Sequence, residues 1–340
     1  MPSVPSLVCA APGSLILEDR LVERKASDQV LVRPRRIGIC GTDFHIFEGK
    51  HPYLEYPRVM GHELAIEVVE VSEDSRLAPG DICTVNPYLA CGNCKACRSG
   101  KPNCCMSVSV LGVHEDGGMA GLLSVPAASL IPADGISIEE CASVEFLAIG
   151  AHAVSRGAIA NGESVLVVGC GPIGTGVALF ACLAGGRVAV CDRDSERAAA
   201  VQKILEVENI PSNAEFSDAV SALTQGDGFD AVIDASGAKG AMEASFNWVG
   251  HGGRLVLVSV VTDSITFVDS DFHRKEMSVI GSRNATDEDF KQVMRAMLMG
   301  RVPMDQLITH RTTLEDAVHN IPAWTKAKSK LVKALIEIDD

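Results

Sequence analysis

Aromatic side chains, basic clusters and repeats are scarce in this chain of 340 residues. Aromatic residues make up only 4% of it, which argues against a long, flat apolar ligand. No stretch concentrates Lys and Arg, and the formal net charge is −14. A nucleic-acid partner is therefore not expected, because neutralising phosphates requires a basic surface. Hydrophobic residues at 47% against 22% charged residues indicate a folded chain.

Signals for export or membrane insertion are also missing. The segment from Met1 to Arg20 lacks a basic start followed by an apolar core, so a secretory leader is not expected. The uncharged stretch from Val165 to Gly186 is long enough to span a bilayer. Its glycines and Pro172 instead predict a short strand, a turn and a small-residue helix. We expect a cytoplasmic chain with no membrane partner, and a reducing compartment suits its 12 cysteines.

The chain length predicts about two domains. Up to about residue 150, β-branched stretches broken by Gly, Pro and Asn predict a β-rich domain. Beyond it, alternating strands and helices predict a doubly wound parallel α/β sheet over 151–284. A final strand near Lys330–Ile336 is expected to return to the first domain, so that 285–340 completes it. The predicted elements are Val30–Arg33, Leu64–Val71, Asp81–Val85, Ser164–Val168, Val188–Cys191, Ser195–Glu208, Ala231–Asp234, Gly240–Trp248, Arg254–Val258, Met277–Ile280 and Asp287–Met299.

Four thiols lie close together in one short segment, at Cys91, Cys94, Cys97 and Cys105. Their spacing allows them to surround one tetrahedral metal ion, and a closed shell of soft sulfur ligands indicates structural zinc. Such a lobe folds because the metal crosslinks it. A disulfide cluster is the alternative interpretation. Cys104 is a second candidate for the fourth ligand.

A glycine-rich turn follows the predicted strand that begins at Ser164. It contains Gly169, Gly171 and Gly174 in the pattern G-x-G-x-x-G, with Pro172 and Ile173 between the last two. Because a strand precedes the pattern and a helix follows it, the turn predicts a dinucleotide site. The glycines allow a tight turn and close approach of a pyrophosphate, which the helix N-terminus attracts.

Asp192 ends the next predicted strand, and Arg193 follows it. A carboxylate at this place accepts hydrogen bonds from the adenosine ribose and repels a 2′-phosphate. NAD is therefore the expected cofactor. The guanidinium of Arg193 leaves NADP as the alternative.

A second set of metal-binding side chains is spread through the first domain: Cys40, His62, Glu63 and Glu145. Each alone is a weak signal. A thiolate, an imidazole and a carboxylate together can hold a zinc ion with three protein ligands and one open position.

The order of these motifs resembles that of the zinc-dependent medium-chain dehydrogenases, in their polyol and sugar-acid branch. The motifs are C-G-T-D at 40–43, G-H-E at 61–63, the thiol lobe at 91–105 and the glycine turn at 169–174. The resemblance implies a GroES-like catalytic domain, a Rossmann domain that binds NAD, and an active site in the cleft between them. It also implies two zinc ions per subunit, one catalytic and one structural.

The resemblance assigns roles to individual residues. Cys40 and His62 match ligands of the catalytic zinc, and Glu145 matches the position of a third ligand. Glu63 matches an acid beside the metal that ligates when the shell rearranges. Whether Glu63, Glu145 or a water completes the shell stays open. The family pattern favours Cys105 as the fourth ligand of the structural zinc.

Three further residues match the family's proton-transfer apparatus. Asp43 corresponds to the acid that orients the metal-bound imidazole of His62. Thr42 corresponds to the hydroxyl that takes the proton of the substrate. His45 corresponds to the histidine that passes this proton to solvent through the cofactor ribose.

Five longer stretches resemble the sugar-acid dehydrogenases of this branch: Ile39–His45, Tyr56–Glu63, Gly112–Gly118, Asp271–Glu276 and Gly281–Thr286. They make His114, Arg283 and Asn284 the candidate substrate-binding residues. An arginine can bind a carboxylate in a bidentate manner. One departure from the family is Phe146, where a proline is expected after Glu145.

We expect an NAD- and zinc-dependent dehydrogenase that oxidises a secondary alcohol of a sugar acid of the L-galactonate type. Oxidation of a polyol such as sorbitol, or of L-threonine, is the alternative within the same enzyme class. An NAD-binding sensor that has lost catalysis is the alternative from another class. The resemblance also implies a homodimer or homotetramer, with the strand Arg254–Val261 as a pairing edge.

Overall fold

The structure is a computed structural model that describes residues 3–22, 28–51, 54–71, 76–326 and 332–339. Contacts between Cα atoms divide the chain into two compact units. Unit 1 comprises Met1–Phe146 and Ala285–Asp340, and unit 2 comprises Leu147–Asn284. That the first of these units is the catalytic domain and the second the NAD-binding domain stays a prediction.

Short strands and turns dominate the first part of unit 1. The strands are β1 (Ser3–Ala11), β2 (Ser14–Leu21), β3 (Gln29–Ile39), β4 (Arg58–Val59), β5 (Glu63–Glu70), β6 (Ile82–Val85), β7 (Tyr88–Leu89), β8 (Ser109–Val110), β9 (Leu123–Pro126) and β10 (Leu130–Pro132). The helices are α1 (Gly41–Phe47), α2 (Lys95–Arg98) and α3 (Ile138–Gly157), with 3₁₀ turns at Pro102–Cys104 and Ala127–Ser129.

Strands and helices alternate in unit 2. The strands are β11 (Ser164–Val168), β12 (Arg187–Cys191), β13 (Glu208–Asn209), β14 (Phe229–Asp234), β15 (Val249–Leu257) and β16 (Ser278–Gly281). The helices are α4 (Pro172–Leu183), α5 (Ser195–Leu205), α6 (Phe216–Thr224), α7 (Lys239–Trp248) and α8 (Asp269–Arg274). Helix α5 ends earlier than predicted because Glu206 takes a left-handed conformation, with φ of 55°.

The C-terminal part of the chain returns to unit 1. It contributes α9 (Asp287–Leu298), α10 (Met304–Leu307), β17 (Ile308–Thr313), α11 (Ala317–Lys326) and β18 (Lys333–Glu337). Strand β18 pairs antiparallel with β3 and parallel with β17. The prediction that the last strand joins the first domain's sheet is therefore confirmed.

The main sheet of unit 1 has the strand order β10-β6-β5-β3-β18-β17, with β9 also paired to β3. A smaller sheet has the order β2-β1-β4. Both contribute apolar side chains to one core, for example Leu7, Ile37 and Leu64, which are fully buried. This core holds the ends of β3 and β5, where the candidate metal ligands lie.

Unit 2 is built on a parallel sheet with the order β13-β12-β11-β14-β15-β16. The order reverses between β11 and β14, so the carboxyl end of β11 lies at a topological switch point, where ligands of such folds bind. The doubly wound α/β prediction is confirmed. The predicted pairing edge at Arg254–Val261 is wrong, because β15 lies between β14 and β16 and has a partner on each side.

The uncharged stretch Val165–Gly186 forms β11, a turn and α4, as its glycines and proline predict. Strand β11 is buried because it has a partner on both sides and helices pack on the sheet. In the part of the chain that the structure describes, no helix is long and apolar enough to cross a membrane.

Candidate active site and cofactor site

The buried carboxylate of Asp43 joins the two loops that carry Cys40 and His62. Cys40 precedes α1, and its backbone N–H donates to Oδ2 of Asp43 at 2.8 Å. The N–H of Gly61 donates to Oδ1 of the same carboxylate at 3.3 Å. Burial raises the pKa of Asp43 and Glu63 adds to that effect, while His62 and the two amides oppose it. Asp43 thus holds the loops of Cys40 and Gly61 together and interacts with His62 through its charge. That it orients the imidazole of His62 stays a prediction.

Three side chains converge at this place. Cys40, His62 and Glu63 each offer one ligand atom, and these atoms all lie within 4.8 Å of one another. His62 is buried, and among the described residues its Nδ1 has no hydrogen-bond partner. Sulfur, imidazole nitrogen and carboxylate oxygen are the ligands that zinc accepts in proteins. The donor set and the unsatisfied imidazole nitrogen therefore fit a zinc ion.

The electrostatics of the cluster also favour a cation. Burial lowers the pKa of His62, but surrounding anionic groups outweigh burial and raise it well above its usual value. These groups are Cys40, Asp43 and Glu145. Buried negative charges are costly unless a positive charge compensates them. A divalent cation bound by His62 would supply that compensation.

Glu145, the other predicted ligand, lies outside the group of three. It is buried in α3, and its Oε1 accepts a short hydrogen bond from Tyr88 Oη. Burial, with a contribution from Glu63, raises the pKa of Glu145 to about 6. Glu145 remains close enough to His62 for their charges to interact. Its role as a ligand stays a prediction, and sequence reasoning missed Tyr88, which no motif marks.

Glu63 makes an ion pair that the sequence did not indicate. Nζ of Lys333 lies 2.7 Å from Oε1 and 2.5 Å from Oε2 of Glu63, and both side chains are fully buried. The same Nζ donates to the carbonyl of Ile39 at 3.3 Å. Lysine is almost never fully buried without such partners. The sequence signal was a lysine directly before the apolar run Ala334–Ile336 of the C-terminal strand.

The predicted proton-transfer residues lie on α1. Oγ1 of Thr42 is 3.7 Å from Sγ of Cys40, and the Thr42 side chain is half-buried. His45 is exposed on the same helix. These positions place a hydroxyl next to the candidate ligands and an imidazole at the surface, although their catalytic roles stay predictions.

Further histidines gather near the cluster. Nδ1 of His114 accepts a hydrogen bond from the N–H of Val110 at 3.1 Å, and the residue is exposed. Burial lowers the pKa of His51, and three neighbouring imidazoles lower it further. These imidazoles belong to His45, His62 and His114. Sequence reasoning missed His51, which lies outside every motif, and a substrate contact of His114 stays a prediction.

The thiol lobe is preformed for a metal. The Sγ atoms of Cys91, Cys94, Cys97 and Cys105 lie within 4.8 Å of one another. Ligation at Zn–S distances of about 2.3 Å requires such proximity. All 12 cysteines are free thiols, which contradicts the disulfide alternative. Cys104 is exposed and is not in the group.

Backbone amides prepare two of these sulfurs, those of Cys94 and Cys105, for ligation. Sγ of Cys105 accepts hydrogen bonds from the N–H of Cys91 at 3.3 Å and of Ser107 at 3.4 Å, which lower its pKa. Hydrogen bonds from backbone amides lower the pKa of Cys94 to about 6. Thiolates are the form that binds zinc. The lobe therefore fits a structural zinc ion.

In unit 2, the glycine turn leaves space for a ligand at one position. Gly169 has a φ of 95°, and a Cβ there would lie 2.8 Å from Cα of Ser236. A Cβ at Gly174 would lie 1.8 Å from the carbonyl of Gly169. Both glycines are thus required by the fold itself. At Gly171, a Cβ would meet no described atom within 4 Å, so this glycine leaves room for a phosphate to approach.

Pro172 and Ile173 open α4, whose N-terminus lies beside this space. Oδ2 of Asp192 accepts from the N–H of Cys170 at 2.7 Å, which places the carboxylate at the glycine turn. The second oxygen, Oδ1, accepts from the N–H of Asp194 at 2.8 Å. Arg193 is exposed. The turn and the acid therefore fit an adenosine ribose and its pyrophosphate.

Two predicted substrate-binding residues lie at the end of unit 2. Arg283 is exposed, and Asn284, which is the last residue of the unit, takes a left-handed conformation with φ of 53°. Contact of either residue with a substrate stays a prediction.

Comparison with known proteins agrees with both sites. Residues 26–135 match the alcohol dehydrogenase GroES-like domain, and residues 172–298 match the zinc-binding dehydrogenase model. The chain is 43% identical to the L-galactonate-5-dehydrogenase of Escherichia coli K12 over 313 residues, which cover 92% of each chain.

Two solved structures share the fold and were determined with a nicotinamide cofactor. The alcohol dehydrogenase RspB of E. coli CFT073, solved with NADH, superposes with a TM-score of 0.92 at 26% identity and covers 99% of each chain. A zinc-binding dehydrogenase of Sinorhizobium meliloti 1021, solved with NADP, gives 0.86 at 26% identity, covering 99% of this chain and all of that one.

The GroES-like match includes Cys40, His62, Glu63 and the thiol lobe, and the second match begins at residue 172, within the glycine turn. GroES-like and Rossmann folds are both present, as predicted. The chain therefore belongs to the zinc-binding alcohol dehydrogenase family and is an NAD-dependent, zinc-containing oxidoreductase that acts on the CH–OH group of a small molecule.

Proposed function

We propose that this enzyme oxidises a secondary hydroxyl of a sugar acid similar to L-galactonate, with NAD as the hydride acceptor. The observation that carries the proposal is the 43% identity to an L-galactonate-5-dehydrogenase over 92% of both chains. A specific substrate is a property of a site and not of a fold. The match covers 92% of both chains, and this extent is why it supports a shared substrate class.

The two donor sets take one zinc ion each. Cys40 and His62 hold the catalytic ion, and Glu63, Glu145 or a water completes its shell. The thiolates of the lobe hold the structural ion; they are Cys91, Cys94, Cys97 and Cys105. The range 1–150 with 285–340 is the catalytic domain, and the range 151–284 binds NAD.

The chemistry divides between cofactors and protein. A zinc ion supplies a Lewis acid that lowers the pKa of an alcohol, and NAD supplies the hydride acceptor. Oγ1 of Thr42, close to Cys40, accepts the proton of the substrate hydroxyl and gives up its own proton, which passes by way of the cofactor ribose to His45. The exposed imidazole of His45 passes that proton to solvent. Asp43 keeps the loops of Cys40 and Gly61 in register during this transfer.

The cofactor is held by unit 2. The N-terminus of α4 and the amides around Gly171 receive the pyrophosphate. Asp192 receives the ribose hydroxyls and disfavours a 2′-phosphate. With Arg193 next to it, some use of NADP is expected, so both cofactors belong in the assay.

An anionic substrate must approach a chain with a net charge of −14. Local donors have to compensate the long-range repulsion. We assign this role to Arg283, whose guanidinium binds carboxylates, and to His114 and Asn284, which bind hydroxyl groups.

We further propose a cytoplasmic homodimer or homotetramer that pairs through β16. This strand is an edge of the unit 2 sheet, and its Val279 is 42% exposed. An edge strand offers backbone groups to a second copy.

Initial rates with a substrate panel test the proposal. We expect NAD-dependent oxidation of L-galactonate or another aldonate at a higher kcat/KM than of sorbitol or L-threonine. NADP in place of NAD should give lower rates. Equal rates on sorbitol and L-threonine with none on aldonates would make the enzyme a polyol or threonine dehydrogenase. NAD binding with no turnover of any alcohol would favour the sensor alternative.

A further inference from the structure

A completely buried ammonium group lies beside the proposed catalytic metal site. Nζ of Lys333 contacts both carboxylate oxygens of Glu63, at 2.7 and 2.5 Å, and the carbonyl of Ile39 at 3.3 Å. Neither the Lys333 nor the Glu63 side chain has any exposed surface. The two residues are 270 positions apart in sequence, so the C-terminal strand supplies the ammonium to the first residue of β5.

Residues of three neighbouring strands, β3, β5 and β18, surround this ion pair. Glu63 begins β5 and lies opposite Gly38 of β3, while Ala334 of β18 lies opposite Ile39. A Cβ at Gly38 would lie 2.0 Å from Oε2 of Glu63. Only glycine leaves the carboxylate room at this point. The missing side chain of Gly38 thus leaves space for the ion pair. The pairing of β3 with β5 and β18 fixes the positions of Glu63 and Lys333.

The ring of Phe146 also packs against the ammonium group of Lys333. Nζ of Lys333 lies 4.2 Å from the centroid of its ring, within the range of a cation–π interaction. Phe146 is fully buried and directly follows Glu145. It is also the one position where the sequence departs from the expected proline. The departure therefore places an aromatic face under the ammonium next to a predicted metal ligand.

Lys333 and a metal at Cys40 and His62 would compete for the carboxylate of Glu63. Its carboxylate offers an oxygen within 4.8 Å of the ligand atoms of Cys40 and His62, close enough to join a metal bound there. The same carboxylate has both oxygens on Lys333. Without the ammonium, a buried carboxylate would stay uncompensated beside a divalent cation, and coordination would be its lowest-energy alternative.

We propose that Lys333, held over Phe146, is a positioning residue that withholds Glu63 from the catalytic metal. By neutralising the carboxylate, it keeps one coordination position of the metal available. This inference rests on the proposed function, because it requires a metal at Cys40 and His62. It assigns Glu63 to the ion pair in the resting enzyme, and leaves Glu145 or a water to complete the shell.

The decisive test is Lys333→Met in protein loaded with Co²⁺, whose visible absorption weakens when a fifth ligand joins a tetrahedral site. We expect the variant to absorb less than wild type, because Glu63 joins the metal. Release of Co²⁺ from this site to a chelator should slow about tenfold. The kcat/KM for the alcohol should fall about 10–100-fold, as for other changes next to a metal's ligands. The four-cysteine site contributes equally to both spectra and cancels in their difference.

Matched variants distinguish the positioning of Glu63 by Lys333 from a general effect of the substitution on the fold. Glu63→Gln combined with Lys333→Met removes both charges, and the spectrum should return to that of wild type because an amide is a poor ligand. Lys333→Arg should preserve the wild-type spectrum. Lys291→Met, which removes an exposed lysine on α9, is the control for charge loss alone.

The measurements distinguish a failure of this inference from a failure of the proposed function. If Lys333→Met takes up two metal ions per chain with the wild-type spectrum and release rate, the inference is wrong and the proposed function stands. If wild type itself binds metal only in the thiol lobe, the proposed function fails first. Should Lys333→Met not fold, Lys333→Gln replaces it, and an unchanged spectrum there overturns the inference equally.

Discussion

At the scale of single residues, the candidate metal site is defined by buried charge. Asp43, Glu63 and Glu145 are all buried, and Lys333 neutralises only one of them directly. Such an excess of buried negative charge is unfavourable in the absence of a bound cation. The raised pKa values of Asp43 and Glu145 express this cost. The physical case for a metal is therefore independent of the family comparison.

Cys40→Ser tests the metal's role at this scale. We expect turnover to fall by more than about 100-fold, since changes to outer residues alone cost 10–100-fold. NAD binding, measured by fluorescence titration of NADH, should stay near the wild-type value because the glycine turn is unchanged. Cys104→Ser, at an exposed thiol outside both clusters, is the control. Full activity of Cys40→Ser would refute the assigned role.

At the scale of elements, the thiol lobe around α2 depends on its metal. Of its four thiols, only Cys105 is buried, and the neighbouring Met106 is 82% exposed. The lobe thus buries little apolar surface, and hydrophobic burial is the main term that stabilises folded segments. Amide hydrogen bonds orient the sulfurs but do not replace a core. Metal binding must supply the missing free energy of folding.

Cys97→Ser is expected to lose one zinc ion per chain and to unfold the lobe locally. Metal analysis should show a fall from two zinc ions to one, and limited proteolysis should cut between Cys91 and Cys105. Cys104→Ser should retain both ions and resist cleavage. A variant that loses its zinc yet stays protected would show that the lobe folds by its own contacts.

At the scale of the whole molecule, the sheet of unit 2 ends in the short strand β16, and the unit carries several exposed apolar side chains. Val279 of β16 is 42% exposed, and in the same unit Val260 is 88% and Val268 is 63% exposed. Edge strands pair readily with other chains unless charge or proline blocks them. An exposed apolar residue on such an edge, as Val279 is, is typical of an interface between subunits. These observations support the proposed oligomer through β16.

Val279→Lys should weaken that oligomer, because a charge on an edge strand disfavours pairing. Sedimentation equilibrium at several protein concentrations would show a shift toward monomer, with a dissociation constant raised by at least about tenfold. Leu223→Lys replaces an equally exposed residue of α6 and serves as the control. An unchanged mass distribution for Val279→Lys would place the interface elsewhere.

Local pattern made much of unit 2 predictable. The apolar run at Ser164–Val168 and the glycines after it produce β11 and the turn before α4, because strand, turn and helix signals lie within a few residues of one another. The edge of the sheet was predicted wrongly. Strand order depends on which strands pair, and β16 was not distinguishable from β15 by its composition.

The sequence by itself determined the fold class, the four-thiol lobe and the nicotinamide cofactor site, because each follows from residue types at short spacings, while the scattered set around Cys40 and His62 was indicated only by the order of the motifs along the chain. Only the tertiary structure decided which partners those side chains meet. The pairing of β18 with β3 brings Lys333 to Glu63, and the packing of α3 brings Tyr88 to Glu145. Contacts between residues so distant in sequence depend on strand register and packing, which no local spacing encodes.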